Sequence, residues 1–254
     1  MIALESITFS YQQNPPVFQN YTWHAARGES WAILGPSGCG KTTLLYMLAG
    51  LRAPNAGKIL IDDQPLTRPR PRTGLILQEY GLLPWTTVRE NAALGLRVRN
   101  FYGPDGTHAP KNYRPTGDIT TWLERLGLSP VADKYPAQIS GGQRQRTAIA
   151  RTLAIQPDLL LMDEPFSSLD APTREGLQVL TLELQAEHNL TLVIVTHSIE
   201  ESAVLGRKIL LLSQPPNTQA CVIENPGASM PDYRNTTQYL NLCQELRARM
   251  DLAI

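Results

Sequence analysis

Short, nearly continuous apolar runs alternate with helix-like stretches along most of the chain. The runs cover residues 31–35, 159–163 and 191–197. Runs of this kind are typical of strands that are buried on both faces, as in a parallel sheet covered by helices. The opening ALESITFSY alternates apolar and polar positions and is also predicted to form strand.

Helical periodicity fills the intervals between these strands. The predicted helices cover residues 41–51, 144–156, 173–188 and roughly 238–252. Alternation of strand and helix predicts an α/β fold. Residues 85–138 are helical and loop-like instead, and their Gly/Pro-rich stretch at 101–117 is predicted as a surface loop. We interpret this middle part as a helical insertion into the α/β core.

Composition narrows the class of protein. The 254 residues are enough for a large domain with a buried core, and 23 basic residues balance 23 acidic ones, so charge gives no reason to expect a nucleic-acid partner. The start of the chain lacks the pattern of a signal peptide, and no apolar run approaches the ~20 residues that span a bilayer. A soluble chain is therefore expected. The three cysteines lack disulfide or metal spacing, which fits a reducing compartment.

The stretch GPSGCGKTT follows a predicted strand, opens a predicted helix and matches G-x-x-x-x-G-K-[ST]. Glycines let successive backbone N–H groups surround phosphate oxygens, Lys41 adds positive charge, and the Thr42 hydroxyl can bind Mg²⁺. The predicted nucleotide-binding residues are Gly35, Pro36, Ser37, Gly38, Cys39, Gly40, Lys41, Thr42 and Thr43. The alternative for the Cys39 side chain is that it only fills space in the loop.

Acidic residues and a histidine end two other buried runs. Asp163 and Glu164 end one of them, and His197 ends another. Ligands of open α/β sheets collect beyond the carboxyl ends of strands, so we expect these side chains at the same edge as the phosphate loop. Asp163 suits Mg²⁺, and Glu164 can accept a proton from an attacking water. A helix cap for the acidic pair and a structural role for His197 are the alternatives.

The stretch ISGGQ places two glycines at the start of a predicted helix. Ser140 and Gln143 have the spacing of a capping box, while each glycine inside a helix costs about 1 kcal/mol relative to alanine. A helix N-terminus without side chains exposes its backbone N–H donors to an anion. The sequence therefore predicts a second anion-binding element.

These motifs occur in the order found in ATP-binding subunits of ABC transporters. That order is GPSGCGKTT, Gln78 after LIL, ISGGQRQR, Asp163–Glu164, SSLD and VTHS. The resemblance implies a P-loop (RecA-like) α/β core with an antiparallel β subdomain and an inserted helical subdomain. On this interpretation residues 1–254 form a single domain. Its core consists of residues 1–84 and 157–213, its helical subdomain of residues 85–156, and its C-terminal extension of residues 214–254.

The resemblance also implies roles for named residues, with ATP and Mg²⁺ as cofactors. The catalytic residues would be Glu164, His197 and Gln78, and the magnesium ligands Thr42, Gln78 and Asp163. Asp170 would transmit the nucleotide state across a subunit interface. Tyr11 matches the aromatic residue that stacks on adenine, with an ordinary strand aromatic as the alternative.

In this family two subunits pair head to tail. Ser140, Gly141, Gly142 and Gln143 would then contact the γ-phosphate held by residues 35–43 of a second copy. Because each chain has its own phosphate loop, the second anion-binding element is best explained as serving the partner's nucleotide. A symmetric pair makes two such composite sites, and a nucleotide clamped in them stabilises the dimer.

The stretch QEYGLLPWTTVRENAALGL resembles the subfamily that serves nitrate, taurine and alkanesulfonate importers. Tyr80, Leu82, Leu83 and Trp85 would form an apolar surface for a permease helix, and packing inside the chain is the alternative. Gln143 stands where much of that subfamily has methionine.

The resemblance therefore implies an ATPase subunit that powers import through a membrane permease, at the cytoplasmic face of the membrane. Its partners would be a second copy, permease subunits and, indirectly, a substrate-binding protein, but no nucleic acid. The alternative is a soluble ABC ATPase that is not coupled to transport. The transported substrate is not encoded in this chain.

Overall fold

A computed structural model describes residues 1–12, 14–102, 118–230 and 232–252. Residues 103–117, which make up most of the predicted surface loop, lie outside the described residues. The chain forms two compact units, one of Met1–Pro69 with Gln178–Ile254 and one of Arg70–Leu177.

The first part of the first unit contains five strands and one helix. They are β1 (Ile2–Phe9), β2 (Phe18–Ala25), β3 (Ser30–Leu34), α1 (Lys41–Leu48), β4 (Ala56–Ile61) and β5 (Gln64–Pro65). The order β2-β1-β4-β5 forms an antiparallel sheet. Ile2 and Leu4 of β1 are buried, and so are Ile7 and Phe9 after an irregularity between Leu4 and Ile7, which explains the largely alternating pattern of the opening residues.

The second unit contains the helical part of the chain. Its elements are β6 (Thr73–Ile76), α2 (Val88–Tyr102), α3 (Ile119–Arg125), α4 (Gly141–Leu153) and β7 (Leu159–Asp163), and α5 (Ala171–Glu187) leads back into the first unit. Strand β6 pairs parallel with β7, with Ile76 opposite Met162. The Asn91 side chain on α2 hydrogen bonds both the N–H and the C=O of Leu83 and fixes the chain before the helix.

The remaining elements complete a mostly parallel sheet in the first unit. They are β8 (Thr191–Thr196), α6 (Ile199–Leu205), β9 (Lys208–Leu211), β10 (Cys221–Glu224) and α7 (Thr237–Leu252). The order is β10-β9-β3-β8, with only β10 antiparallel to its neighbour. Every residue of β3 and β8 is buried, which accounts for their continuous apolar runs.

The last part of the chain belongs to the core of the first unit. Leu242 and Leu246 of α7 and Ile223 of β10 pack in one cluster with Ala32 and Leu34 of β3. The predicted α/β architecture with a separate antiparallel sheet and a helical part is confirmed.

Candidate nucleotide-binding site

The loop between β3 and α1 has the shape that its glycines allow. Gly40 has φ +105°, in the left-handed region that favours glycine, and a Cβ there would lie 2.5 Å from Val17 Cγ1. A Cβ on Gly38 would meet no atom within 4 Å. The backbone at Gly38 is therefore accessible to a bound group, whereas Gly40 is packed against the start of β2.

Lys41 holds the loop from inside. Its buried ammonium donates to the carbonyl of Gly35 at 2.8 Å and to that of Pro36 at 2.9 Å. The third donor of the ammonium lies 4.0 Å from Cys39 Sγ, which is a weak acceptor. The Cys39 thiol is fully buried, and this burial raises its pKa. Cys39 therefore stays protonated and fills space in the loop.

Tyr11 lies beside the phosphate loop. Its hydroxyl shares a 2.7 Å hydrogen bond with Thr43 Oγ1. The Arg52 guanidinium lies 4.7 Å from the centre of the Tyr11 ring, in a cation–π contact. The ring is partly exposed, so a planar base can still stack on it.

The first unit brings His197 to the same edge as the phosphate loop. Leu34, the last residue of β3, pairs with Thr196, the last residue of β8, so Gly35 and His197 leave the sheet together. Ser198 then caps α6, because its hydroxyl accepts the N–H of Glu201 at 3.1 Å. This cap fixes the direction of the chain immediately after His197.

The second unit brings Gln78 together with the acidic pair. Because Ile76 pairs with Met162, Gln78 and Glu164 leave their strands at the same edge. Asp163 is the buried last residue of β7. Glu164 has φ +43°, which is uncommon for a residue other than glycine and is found at functional sites. Its carbonyl accepts the Ser167 hydroxyl at 3.0 Å.

The predicted capping box at the start of α4 is present. Ser140 Oγ accepts the N–H of Gln143 at 3.2 Å, and Gln143 Oε1 accepts the N–H of Ser140 at 2.9 Å. The Gln143 side chain is therefore used in part on its own helix start.

The glycines of ISGGQ have a further reason that the sequence did not indicate. A Cβ on Gly142 would lie 2.5 Å from Thr173 Cγ2, and a Cβ on Gly141 would lie 3.1 Å from Leu169 Cδ2. Absence of side chains lets α4 approach the start of α5. Asp170 caps that helix, since the Thr173 hydroxyl and N–H donate to it at 3.1 and 3.3 Å and lower the pKa of its carboxyl.

The predicted permease-facing surface needs one correction. Tyr80 is 6% exposed, its hydroxyl shares a 2.7 Å hydrogen bond with Ser168 Oγ, and its carbonyl accepts Arg151 at 2.7 Å. Tyr80 was expected on an apolar surface, but its hydroxyl finds a partner inside the unit and the ring packs there. Trp85 is 72% exposed, so the exposed apolar residue of this stretch is the tryptophan.

Gln78 and Arg144 of α4 line the same cavity in the second unit, which has a volume of about 440 Å³. It is lined by Gln78, Glu79, Tyr80, Arg144, Ser167 and Ser168. Arg144 is fixed there by hydrogen bonds to the carbonyls of Ile139 (2.8 Å) and Pro136 (3.4 Å). Sequence motifs marked Gln78 as a site residue. Ser167, Ser168 and Arg144 lie inside the motifs SSLD and ISGGQRQR, but only the structure places their side chains around this cavity.

The described residues contain no group of three or more His, Cys, Asp or Glu side chains that could hold a metal ion. The predicted ligands Thr42, Gln78 and Asp163 offer oxygen atoms, the type that Mg²⁺ prefers when phosphates supply further ligands. None of the described helices has both the length and the apolar character needed to cross a bilayer.

Comparison with known proteins identifies the family. A profile described as "ABC transporter" matches residues 18–167. The taurine import ATP-binding protein of Pseudomonas aeruginosa is 39% identical over 218 residues, which cover 85% of this chain and 80% of that protein. The aliphatic sulfonates import ATP-binding protein of Bacillus cereus is 38% identical over 234 residues, which cover 92% of this chain and 86% of that protein.

Solved structures agree with this match. A dimeric structure of an ATP-binding cassette in a post-hydrolysis state, bound to ADP and Pi, has a TM-score of 0.73 and 28% identity, covering 88% of this chain and 98% of that one. The profile spans more than half of the chain, and the relatives are matched over most of their length. The chain belongs to the ABC transporter family.

Proposed function

We propose that this chain is the ATP-hydrolysing subunit of a small-molecule importer, of the group that takes up taurine, sulfonates or nitrate. The observation that carries the proposal is the phosphate loop, in which Lys41 holds the carbonyls of Gly35 and Pro36 and Gly38 leaves the backbone accessible. The relatives named as taurine and aliphatic sulfonates import ATP-binding proteins support the transport assignment.

The chemistry needs few groups. Backbone N–H groups of residues 35–43 and the ammonium of Lys41, released from its weak contact with Cys39 Sγ, would bind the phosphates, with Tyr11 stacking on the base. Glu164 would accept the proton of the attacking water, and Gln78 and His197 would orient that water and the γ-phosphate. The left-handed backbone at Glu164 supports this assignment, because backbone strain of this kind clusters at active sites.

Magnesium would be held by Thr42, Gln78 and Asp163, with the phosphates as further ligands. When bound, Mg²⁺ neutralises charge on the phosphate oxygens. The oxygen atoms of these side chains support the fit.

A second copy of the chain would complete the site. The capped N-terminus of α4, with Ser140 to Gln143, would bind the γ-phosphate on the partner's loop, and Asp170 would report the nucleotide state across the interface. The dimeric cassette bound to ADP and Pi supports this arrangement.

The dimer would act on permease subunits at the cytoplasmic face of the membrane, with a substrate-binding protein delivering the substrate. Residues 85–156 would form the helical subdomain that meets the permease.

Hydrolysis is tested with two substitutions, one of which should impair turnover and the other nucleotide binding. Glu164→Gln keeps the size of the side chain but removes the proton acceptor, so turnover should fall by about 10²-fold or more while ATP still binds. Lys41→Ala should lose nucleotide affinity, measured by titration with a fluorescent ATP analogue. Hydrolysis by Glu164→Gln at the wild-type rate would contradict the role of Glu164 as the base.

Transport is tested by searching the open reading frames that neighbour the gene for a permease and co-expressing that permease with this chain. The wild-type chain should co-purify with that permease, and Trp85→Ser should weaken the association. Leu51→Ser is a matched control, because Leu51 is also an exposed apolar residue, at 57% against 72% for Trp85. Equal loss in both variants, or none in either, would contradict the docking role of Trp85.

A further inference from the structure

Asn217 joins three separate segments through one buried side chain, which is 3% exposed. Its Nδ2 donates to the carbonyl of Cys39 at 2.9 Å and to the carbonyl of Val17 at 3.2 Å. Its Oδ1 accepts the N–H of Ser213 at 3.0 Å. The amide therefore satisfies backbone groups of the phosphate loop, of the approach to β2 and of the chain after β9.

The main chain of Asn217 strengthens the same junction. Its N–H donates to the carbonyl of Val17 at 3.0 Å, and its carbonyl accepts the N–H of Gln19 at 2.9 Å. A buried backbone group without a partner is costly, so these bonds fix where the side chain can reach. Asn217 is thus anchored on β2 and holds the loop from there.

Both ends of the phosphate loop pack against the segments that Asn217 joins. A Cβ on Gly40 would lie 2.5 Å from Val17 Cγ1. A Cβ on Gly35 would lie 2.6 Å from the carbonyl oxygen of Leu212, next to Ser213. The loop therefore approaches both segments so closely at its two ends that no side chain would fit there.

Three carbonyls of the phosphate loop accept hydrogen bonds from two side chains. In a loop whose N–H groups converge on an anion, any buried carbonyl needs a hydrogen-bond donor from another part of the chain. Lys41 holds those of Gly35 and Pro36, and Asn217 holds that of Cys39. A phosphate would compete for the charged ammonium of Lys41, whereas the neutral Nδ2 of Asn217 attracts an anion less strongly and already donates to two carbonyls.

We infer that Asn217 is a positioning residue for nucleotide binding, which keeps the phosphate loop in its binding shape by fixing the Cys39 carbonyl. The inference rests on the proposed function, since it takes residues 35–43 as the ATP-binding loop. A preorganised loop loses less conformational freedom on binding. Loss of the amide therefore weakens ATP affinity and leaves the hydrolysis of bound ATP unchanged.

Asn225 provides a matched control in the same part of the chain. It is 1% exposed, its Nδ2 donates to the carbonyls of Ala203 and Gly206 at 2.8 Å, and its Oδ1 accepts the Tyr233 hydroxyl at 2.6 Å. Both asparagines are buried, and in each the Nδ2 donates to two backbone carbonyls while the Oδ1 accepts one hydrogen bond. The partners of the Asn225 side chain do not belong to residues 35–43.

The test compares Asn217→Ser with Asn225→Ser by titration with a fluorescent ATP analogue, by thermal unfolding and by steady-state ATPase assays. Both variants should lower Tm by similar amounts. Asn217→Ser should raise the Kd about 10-fold or more, and Asn225→Ser should leave it within about 2-fold. At saturating ATP, kcat of Asn217→Ser should stay within about 3-fold of wild type, so that KM changes and kcat does not.

Equal Kd values for the two variants, or a wild-type Kd in Asn217→Ser, would overturn the inference. Failure of the wild-type chain to bind the analogue would instead overturn the proposed function. If Asn217→Ser does not fold, the inference is tested on the wild-type chain by comparing amide hydrogen exchange with and without the ATP analogue. The analogue should slow exchange of the Ser213, Asn217 and Gln19 amides, because they open together with the loop that it stabilises. Unchanged exchange at these amides would overturn the inference as well.

Discussion

Cys39 shows how burial sets the reactivity of one residue in the loop. Its thiol is fully buried and its pKa is raised by that burial, whereas Cys221 is partly exposed. Only the thiolate reacts with a maleimide, so a raised pKa lowers the reactive fraction at neutral pH and the rate should increase as pH rises.

Single-cysteine chains measure this difference. A chain that retains Cys39 alone should react with a maleimide about 10-fold or more slowly than a chain that retains Cys221 alone. ATP should slow the reaction of Cys39 further and leave that of Cys221 unchanged. Once attached, the maleimide should prevent nucleotide binding by steric exclusion. Equal labelling rates, or full ATPase activity after labelling at Cys39, would contradict its position inside the loop.

At the scale of elements, two glycines in helices allow the cost of a close helix contact to be measured, because one is packed against a neighbour and the other is not. Gly142 is the second residue of α4, and a Cβ there would lie 2.5 Å from Thr173 Cγ2, while a Cβ on Gly176 in α5 would meet no atom within 4 Å. Gly176→Ala should raise the free energy of unfolding by up to about 1 kcal/mol through helix propensity. Gly142→Ala should lower it by about 1–3 kcal/mol, because the added methyl group overpacks the contact.

Urea unfolding measures both changes, and Thr173→Ser provides the rescue. Serine removes the clashing methyl group but keeps the hydroxyl that donates to Asp170. The double variant Gly142→Ala/Thr173→Ser should recover part of the stability lost in Gly142→Ala. Stabilisation by Gly142→Ala alone would show that α4 does not approach α5 as closely as described.

The sequence predicted those elements and site residues whose signals are local. Strands β3, β7 and β8 are continuous buried runs, so their limits agree with the pattern within about two residues. Strands such as β4 and β10 were not predicted, because half or more of their residues are exposed and their apolar stretches are short. The phosphate loop and the capping box follow from spacing alone.

Contacts between distant segments could not be predicted in this way. The Asn217 side chain meets the Cys39 carbonyl across 178 positions, and Tyr80 meets Ser168 across 88. Neither residue carries a local pattern that marks its partner. The wrong expectation for Tyr80 has this cause, since an apolar stretch near a motif does not reveal that its hydroxyl has a partner inside the unit.

At the scale of the whole molecule, the chain carries two elements suited to phosphate, residues 35–43 and the capped start of α4. One bound nucleotide needs one phosphate loop, and the second element is explained if it acts on the nucleotide of a second copy. ATP should then join two chains, and hydrolysis should separate them. Glu164→Gln should accumulate the ATP-bound dimer because it binds ATP without turning it over.

The most direct test measures the mass in solution of the Glu164→Gln variant with ATP, by light scattering after size-exclusion chromatography. The same measurement is made on the double variant Glu164→Gln/Gly141→Asp. Glu164→Gln should be a dimer with ATP and a monomer without it. Adding Gly141→Asp should leave a monomer that still binds the fluorescent analogue within about 3-fold of normal affinity. Adding Gly141→Ala, which places a Cβ near Leu169 without a carboxylate, should preserve the dimer. Loss of ATP binding by the Gly141→Asp monomer would contradict the arrangement, because the glycines would then serve their own chain's nucleotide.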